Sequence, residues 1–169
     1  MAQKPPDSHT LRIRPIGVVR NAVKRPSRQQ WESVVSEIVL NDGLEEALDG
    51  LEEFSHLMVI YWMHRVSPVE RLITKVRPRR RPELPLVGTF ASRSPARPNP
   101  LGVATVKLLE RRGGILRVVG LDAIDGTPVL DVKPYIPGYD SADEAHIPGW
   151  MRTLSFAPSS FISEGWEEG

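Results

Sequence analysis

Sixteen prolines and thirteen glycines punctuate this chain of 169 residues, and they limit its fold more than any other feature. Proline removes a backbone donor and glycine weakens a helix, so the chain favours turns and short strands over long helices. Strand-like segments recur between these breakers. Leu11–Asn21 alternates loosely, with Ile13, Ile16, Val18 and Val19. Val34–Leu40 is rich in β-branched residues, and Leu57–Arg65 is the strongest strand, apolar on both parities. Apolar residues on both faces predict that both faces are covered. Leu86–Ala91, Val103–Arg111, Ile115–Asp122 and Pro128–Lys133 read as further strands. Arg112-Gly113-Gly114 and Asp125-Gly126 carry turn chemistry. Asp42 and Glu45 have the spacing of a helix start and predict about two turns before Gly50; Ser27 and Gln30 have the same spacing. The pattern predicts a mainly β protein, a small antiparallel β-barrel with one short helix and long functional loops. It occupies residues 11–156, between a frayed stretch 1–10 and a polar, acidic tail 157–169.

Composition narrows the function classes. Hydrophobic content of 40% and charged content of 25% suit a soluble globular protein. A net charge of +1 leaves both nucleic acid and small molecules open as partners. With no cysteine there are no disulfides and no thiolate metal site, which fits a reducing cytoplasm. The first residues lack the apolar core of a signal peptide, and the longest apolar run, Leu57–Met63, is too short to span a bilayer. No G-x-G-x-x-G follows a strand, and neither a P-loop nor a G-x-S-x-G elbow is present. His56 and His64 share a parity, but eight residues of straight strand separate them by roughly 26 Å. They cannot share an ion, so no metal site is expected. His64 stands where an apolar strand meets polar loops and is a candidate pocket residue.

Three segments carry candidate chemistry. Phe90–Gly102 (FASRSPARPNPLG) holds three prolines that stiffen it and push Ser94, Arg97 and Asn99 towards extended backbone. A stiff loop with guanidinium and amide donors loses little entropy when a ligand docks. Apolar strand-like flanks make it a connector within one core rather than a spacer between domains. In Leu121–Tyr139, Asp131 and Lys133 lie two apart on a strand and share a face, with Leu130 and Val132 on the other. They are either a solvated ion pair or the lining of a cleft shared with Tyr135. Arg77–Pro82 (RPRRRP) packs four arginines into six residues, either a solvated loop or a phosphate-binding cluster.

Taken together, GLEEFSH with the strand to His64, then FASRSPARPNPLG, then LDAIDGTPVLDVKPY resemble the TsaA-like or TrmO family, in order and spacing, over roughly 16–150. The resemblance implies a small β-barrel that binds S-adenosylmethionine, pairs as a homodimer with the cofactor near the interface, and N6-methylates threonylcarbamoyl-adenosine beside the tRNA anticodon. It carries over onto His56, His64, Phe90, Arg93, Arg97, Asn99, Asp131, Lys133 and Tyr135. Two features differ from the family pattern. The segment after the first strand reads NAVKRPSRQQW, where members carry P-R-Q, and the chain ends soon after the barrel, where longer members add a C-terminal domain.

On that reading His64, Phe90, Arg93, Arg97, Asn99, Leu121, Asp122 and Ala123 hold the cofactor, with the backbone of Leu121–Ala123 reading the adenine edge. Asp131, Lys133 and Tyr135 border the acceptor, and Asp131 takes or orients its proton. Arg77, Arg79, Arg80, Arg81 and Arg28 face RNA, helped by Arg20, Lys24 and Arg25. The alternatives are a methyltransferase acting on a small molecule or another RNA, and a non-catalytic module that binds S-adenosylmethionine. The expected partners are tRNA and a second copy of the chain, with no membrane and no metal.

Overall fold

A computed structural model describes residues 11–25 and 31–154. The stretch 1–10 expected to fray, the Ser27–Gln30 helix start, Arg28 and the tail 157–169 lie outside the described residues. Six strands close a barrel: β1 (Gly17–Arg20), β2 (Val35–Leu40), β3 (His56–Trp62), β6 (Leu101–Arg112), β7 (Ile115–Val119) and β8 (Pro128–Pro134). Two further strands, β4 (Lys75–Val76) and β5 (Val87–Gly88), pair outside it. The barrel order is β1-β2-β7-β6-β3-β8, with every neighbouring pair antiparallel. Strand alternation fills the lumen. On β3 Leu57, Val59 and Tyr61 are buried and meet Ile38, Val106, Leu116, Val118 and Val129 from the other strands.

Antiparallel pairing gathers the chain connections at two ends. One mouth collects the ends of β1, β3 and β7 and the starts of β2, β6 and β8. The segment Leu121–Ala123, with Leu121 and Ala123 buried, lies there. At the opposite end Leu48 is buried and Leu51 packs on the core. There the predicted helix is instead two 3₁₀ turns, Glu45–Leu48 and Leu51–Glu53. Gly50 separates them at φ +82, a left-handed conformation that ends a helical run. The other helical pieces, α1 (Pro137–Asp140) and α2 (Gly149–Arg152), are single turns, so the one short helix of the sequence pattern is replaced by several fragments.

Two further expectations need correction. Leu86–Ala91 is not a barrel strand. It forms the two-residue β5, paired with β4, and then a 3₁₀ turn Thr89–Ala91. Its apolar residues do not reach the core; Leu86 is 53% and Phe90 82% exposed. The Phe90–Gly102 loop therefore links this outer ribbon to β6 rather than two core strands. On β8, a bulge between Ile60 and Tyr61 pairings carries the inward register from Val129 to Val132. Leu130 and Val132 consequently do not share a regular face. The outward residues of β3, Met58, Ile60 and Trp62, are half-buried rather than covered.

Candidate functional site

The mouth is built by four segments that converge because the strands end there. Tyr61, the last inward residue of β3, is 5% exposed and its hydroxyl donates to the Asp122 carbonyl at 2.5 Å. Burial, and then the negative Asp122, raise its pKa, so the phenol stays a donor. Tyr61 fits because Gly102 leaves room: a Cβ on Gly102 would lie 2.2 Å from the Tyr61 ring. Asn21, just past β1, ties the next residue. Its Nδ2 donates to the Ala123 carbonyl at 2.8 Å and to Ser36 Oγ at 2.9 Å. The Asn21 amide N–H donates to Asp125, which also pairs with Lys24 at 2.9 Å. Lys24 and Asn21 together hold the Asp125 carboxyl below the usual range. The segment 121–125 is thus pinned on both sides. Sequence reasoning missed Tyr61 and Asn21. The available signal was a tyrosine on an otherwise apolar inward parity, whose buried hydroxyl needs a partner.

Between those anchors stands Asp122. The residue keeps access to solvent, yet the protein mass around its carboxyl raises its pKa; Arg93 opposes this and Glu32 adds to it. Arg93 Nη2 donates to the Val103 carbonyl at 2.8 Å, which holds the guanidinium beside the mouth. The proline-rich loop is braced from inside. Arg97 donates to the carbonyls of Ser94 at 3.0 Å, Ser92 at 2.7 Å and Thr89 at 3.4 Å. Its guanidinium is thus turned onto carbonyls of its own loop, on both sides of Arg93. Thr89, 3% exposed, donates its hydroxyl to the Ile73 carbonyl and anchors the loop's start. Asn99 donates no side-chain bond among the described residues, but its carbonyl accepts from Leu101 N–H at 2.7 Å.

His64 lies two residues past β3, with Nδ1 buried and unpartnered among the described residues. Burial and the adjacent Arg65 hold its pKa below the usual histidine value. The sign follows from linkage. The unfolded chain takes up a proton near pH 6.5 before the folded one does, so stability is lost as pH falls below that value. Urea midpoints at pH 7.5 and pH 5 are expected to fall further for wild type than for His64→Gln. Equal falls would remove His64 from that dependence.

Not all predicted residues join the mouth. Asp131 pairs with Ile60 and Lys133 with Met58, so both face outward from β8, four and six positions below His64 in register. That is roughly 13 and 20 Å along the strand. Lys133 Nζ lies 2.7 Å from Asp131 Oδ2, which raises the lysine pKa, and Val132 N–H donates to Asp131 Oδ1 at 2.9 Å. The amide of Tyr135 donates to the His56 carbonyl at the far end of β3. Asp131 also borders a cleft of about 520 Å³ walled by Ile16, Leu44, Leu51, Phe54 and Pro134. His56 Nδ1 is 2.9 Å from Ser55 Oγ, away from the mouth.

The arginine cluster lies on the excursion between β3 and β6. Arg77 Nη1 donates to the Leu84 carbonyl at 2.6 Å, and Arg81 pairs with Glu83. Arg79 and Arg80 take left-handed φ of 50 and 55, and both are exposed. Arg28 lies outside the described residues. No group of three or more metal-ligating side chains occurs among the described residues. No helix among them is long and apolar enough to cross a membrane.

The donors at the mouth fit S-adenosylmethionine: a guanidinium for its carboxylate, backbone polar groups for its adenine, and an orphaned ring nitrogen on His64. Comparison with known proteins agrees in kind. Residues 19–141 match the family model for the tRNA-methyltransferase O N-terminal domain. A probable S-adenosyl-L-methionine-binding protein of Methanothermobacter thermautotrophicus is 47% identical over 135 residues, covering 78% of this chain and 94% of that protein. The tRNA (adenine(37)-N6)-methyltransferase of Mus musculus is 46% identical over 99 residues, covering 57% of this chain and 22% of the mouse protein. The crystal structure of TrmO from Pseudomonas aeruginosa superposes with a TM-score of 0.67 at 31% identity, covering 82% of this chain and 61% of that one. This chain therefore spans less than two thirds of that solved structure.

Proposed function

We propose, since this chain belongs to the family of the tRNA-methyltransferase O N-terminal domain, that it is an S-adenosylmethionine-dependent methyltransferase. Its acceptor is the N6 of threonylcarbamoyl-adenosine beside the tRNA anticodon. The observation that supports this reading is the mouth, where Arg93 acts on Asp122 of the pinned segment Leu121–Ala123 and β3 runs on towards His64, all within the matched region. Bound S-adenosylmethionine supplies a methyl group already activated by its sulfonium, so the protein needs no nucleophile. The chain's own work is to hold and align. Arg93 pairs with the cofactor carboxylate. Leu121, Asp122 and Ala123 present backbone groups to the adenine, while Phe90 and Asn99 lie in the same loop as Arg93. Arg97 keeps that loop in shape.

RNA contact is supported by charge at the same end of the barrel. Arg20 ends β1 at the mouth and Lys24 and Arg25 follow it, and the excursion bearing Arg77, Arg79, Arg80 and Arg81 leaves from the same end. A homodimer is part of the reading. The outer faces of β3 and β6 place half-buried Met58, Ile60 and Trp62 beside Leu101 and Val103, which are 38% and 41% exposed. Pairing across this face is the route by which Asp131, Lys133 and Tyr135 of one protomer reach an acceptor held by its partner. The lack of cysteine supports a cytoplasmic setting.

The test is transfer of a labelled methyl group to tRNA with and without the threonylcarbamoyl modification. Transfer to the modified tRNA alone is the expected result. Cofactor binding without transfer to either would favour the second reading, a binding module. That reading draws on the archaeal relative, which this chain matches nearly end to end.

A further inference from the structure

We propose that Asp122, and not Asp131, is the proton acceptor in methyl transfer, an inference that rests on the methyltransferase reading above. N-methylation of an acceptor that carries N–H needs a base. As the nitrogen–carbon bond forms, the carbon–sulfur bond breaks with its electron pair left on sulfur, and the N–H proton must go to a protein group or water. The geometry selects Asp122. Its neighbours Leu121 and Ala123 are buried while it is exposed, so its side chain turns from the core towards the mouth. Its own carbonyl is held by Tyr61 and the next by Asn21, so the carboxylate rides on a fixed backbone. Such support is what a positioned acid–base group requires.

Three other acids on the segments that leave this end are committed to donors. Asp125 pairs with Lys24 and accepts from Asn21 N–H. Glu70 accepts from both the N–H and the hydroxyl of Ser67. Glu83 pairs with Arg81. All three carboxyls are held below the usual range, which makes them weaker proton acceptors. Asp131 is engaged by Lys133 and Val132 N–H on the outer face of β8. Around Asp122 the charged and titratable neighbours are Arg93, Glu32 and Tyr61. Desolvation outweighs Arg93 and shifts its pKa upward, towards the range in which a base works at neutral pH.

The experiment compares wild type, Asp122→Asn and Asp131→Asn in single-turnover transfer to threonylcarbamoyl-modified tRNA. It is joined by calorimetric S-adenosylmethionine affinity and a ¹³C carboxyl titration of the free protein. Asp122→Asn is expected to slow transfer by about 100-fold or more, with cofactor affinity changed by less than about threefold. The wild-type rate is expected to rise with pH along an acidic limb that Asp131→Asn keeps and Asp122→Asn loses. The carboxyl titration should place Asp122 above the ordinary aspartate value. A smaller loss, a retained acidic limb in Asp122→Asn, or an affinity loss that accounts for the rate loss would each overturn the inference. Wild-type protein that transfers nothing to this tRNA would overturn the functional reading, and this inference with it.

Discussion

Replacing Gly102 with alanine is expected to destabilise the barrel by about 2–4 kcal/mol and to weaken S-adenosylmethionine binding together with it. The new Cβ would lie 2.2 Å from two Tyr61 ring carbons and 2.8 Å from the hydroxyl. A phenol ring is rigid, and this one is buried between the strands, so it can only be displaced as a unit. Displacement breaks the 2.5 Å bond to the Asp122 carbonyl and frees the segment that lines the mouth. Tyr61→Phe separates the two effects. It keeps the ring and removes only the hydroxyl, leaving a carbonyl without its donor at a cost of about 1–2 kcal/mol. Urea denaturation reads the stability and calorimetry reads the affinity. If Tyr61→Phe binds the cofactor as wild type does, the bond is not a support of the site.

Gly17→Ala is expected to cost about 3 kcal/mol, for a reason that lies wholly in the backbone. A Cβ there would stand 2.4 Å from the Val39 carbonyl oxygen and 3.0 Å from Leu40 Cα. Neither atom can rotate away. Gly17 also sits at the seam of the barrel, where β1 meets β8 through only two paired positions, Gly17↔Val129 and Val18↔Pro128. Backbone bonds from Ile16 N–H to the Val129 carbonyl and from Val19 N–H to the Thr127 carbonyl complete the seam. Pushing β1 off β2 therefore strains the closure on both sides. A urea midpoint within error of wild type would mean that the strand shifts at no cost, and that the seam is looser than its contacts indicate.

Much of the barrel is legible in the residue pattern alone. Apolar and β-branched runs mark β2, β3, β6, β7 and β8 to within a few residues, and Gly113-Gly114 marks the β6–β7 hairpin. The misreadings have local causes. A short apolar run such as Leu86–Ala91 satisfies a strand pattern whether or not it finds a core. Asp42–Gly50 has a helix start, but Gly50 cuts the run before an α-helix is established. The loop Phe90–Gly102 stands out in the sequence by its proline stiffness, whereas the segment Leu121–Ala123 enters as a candidate only through the family resemblance. Arg97 is not separable from Arg93 in sequence, because both are arginines on one polar loop. Only folding turns one inward onto carbonyls and holds the other at the mouth.

The sequence by itself determined the mainly β architecture, the positions of most barrel strands and the family. Those properties are written in residue periodicity, turn residues and motifs, all of which act over a few positions along the chain. The tertiary structure decided which candidates lie at the same end of the barrel. Strand register pairs residues far apart in sequence, such as Ile60 with Asp131 and Tyr61 with Gly102. That register turns Asp131 and Lys133 to the outside of β8. It also brings Tyr61, Gly102 and Asp122 together at one mouth, an arrangement that no local pattern encodes.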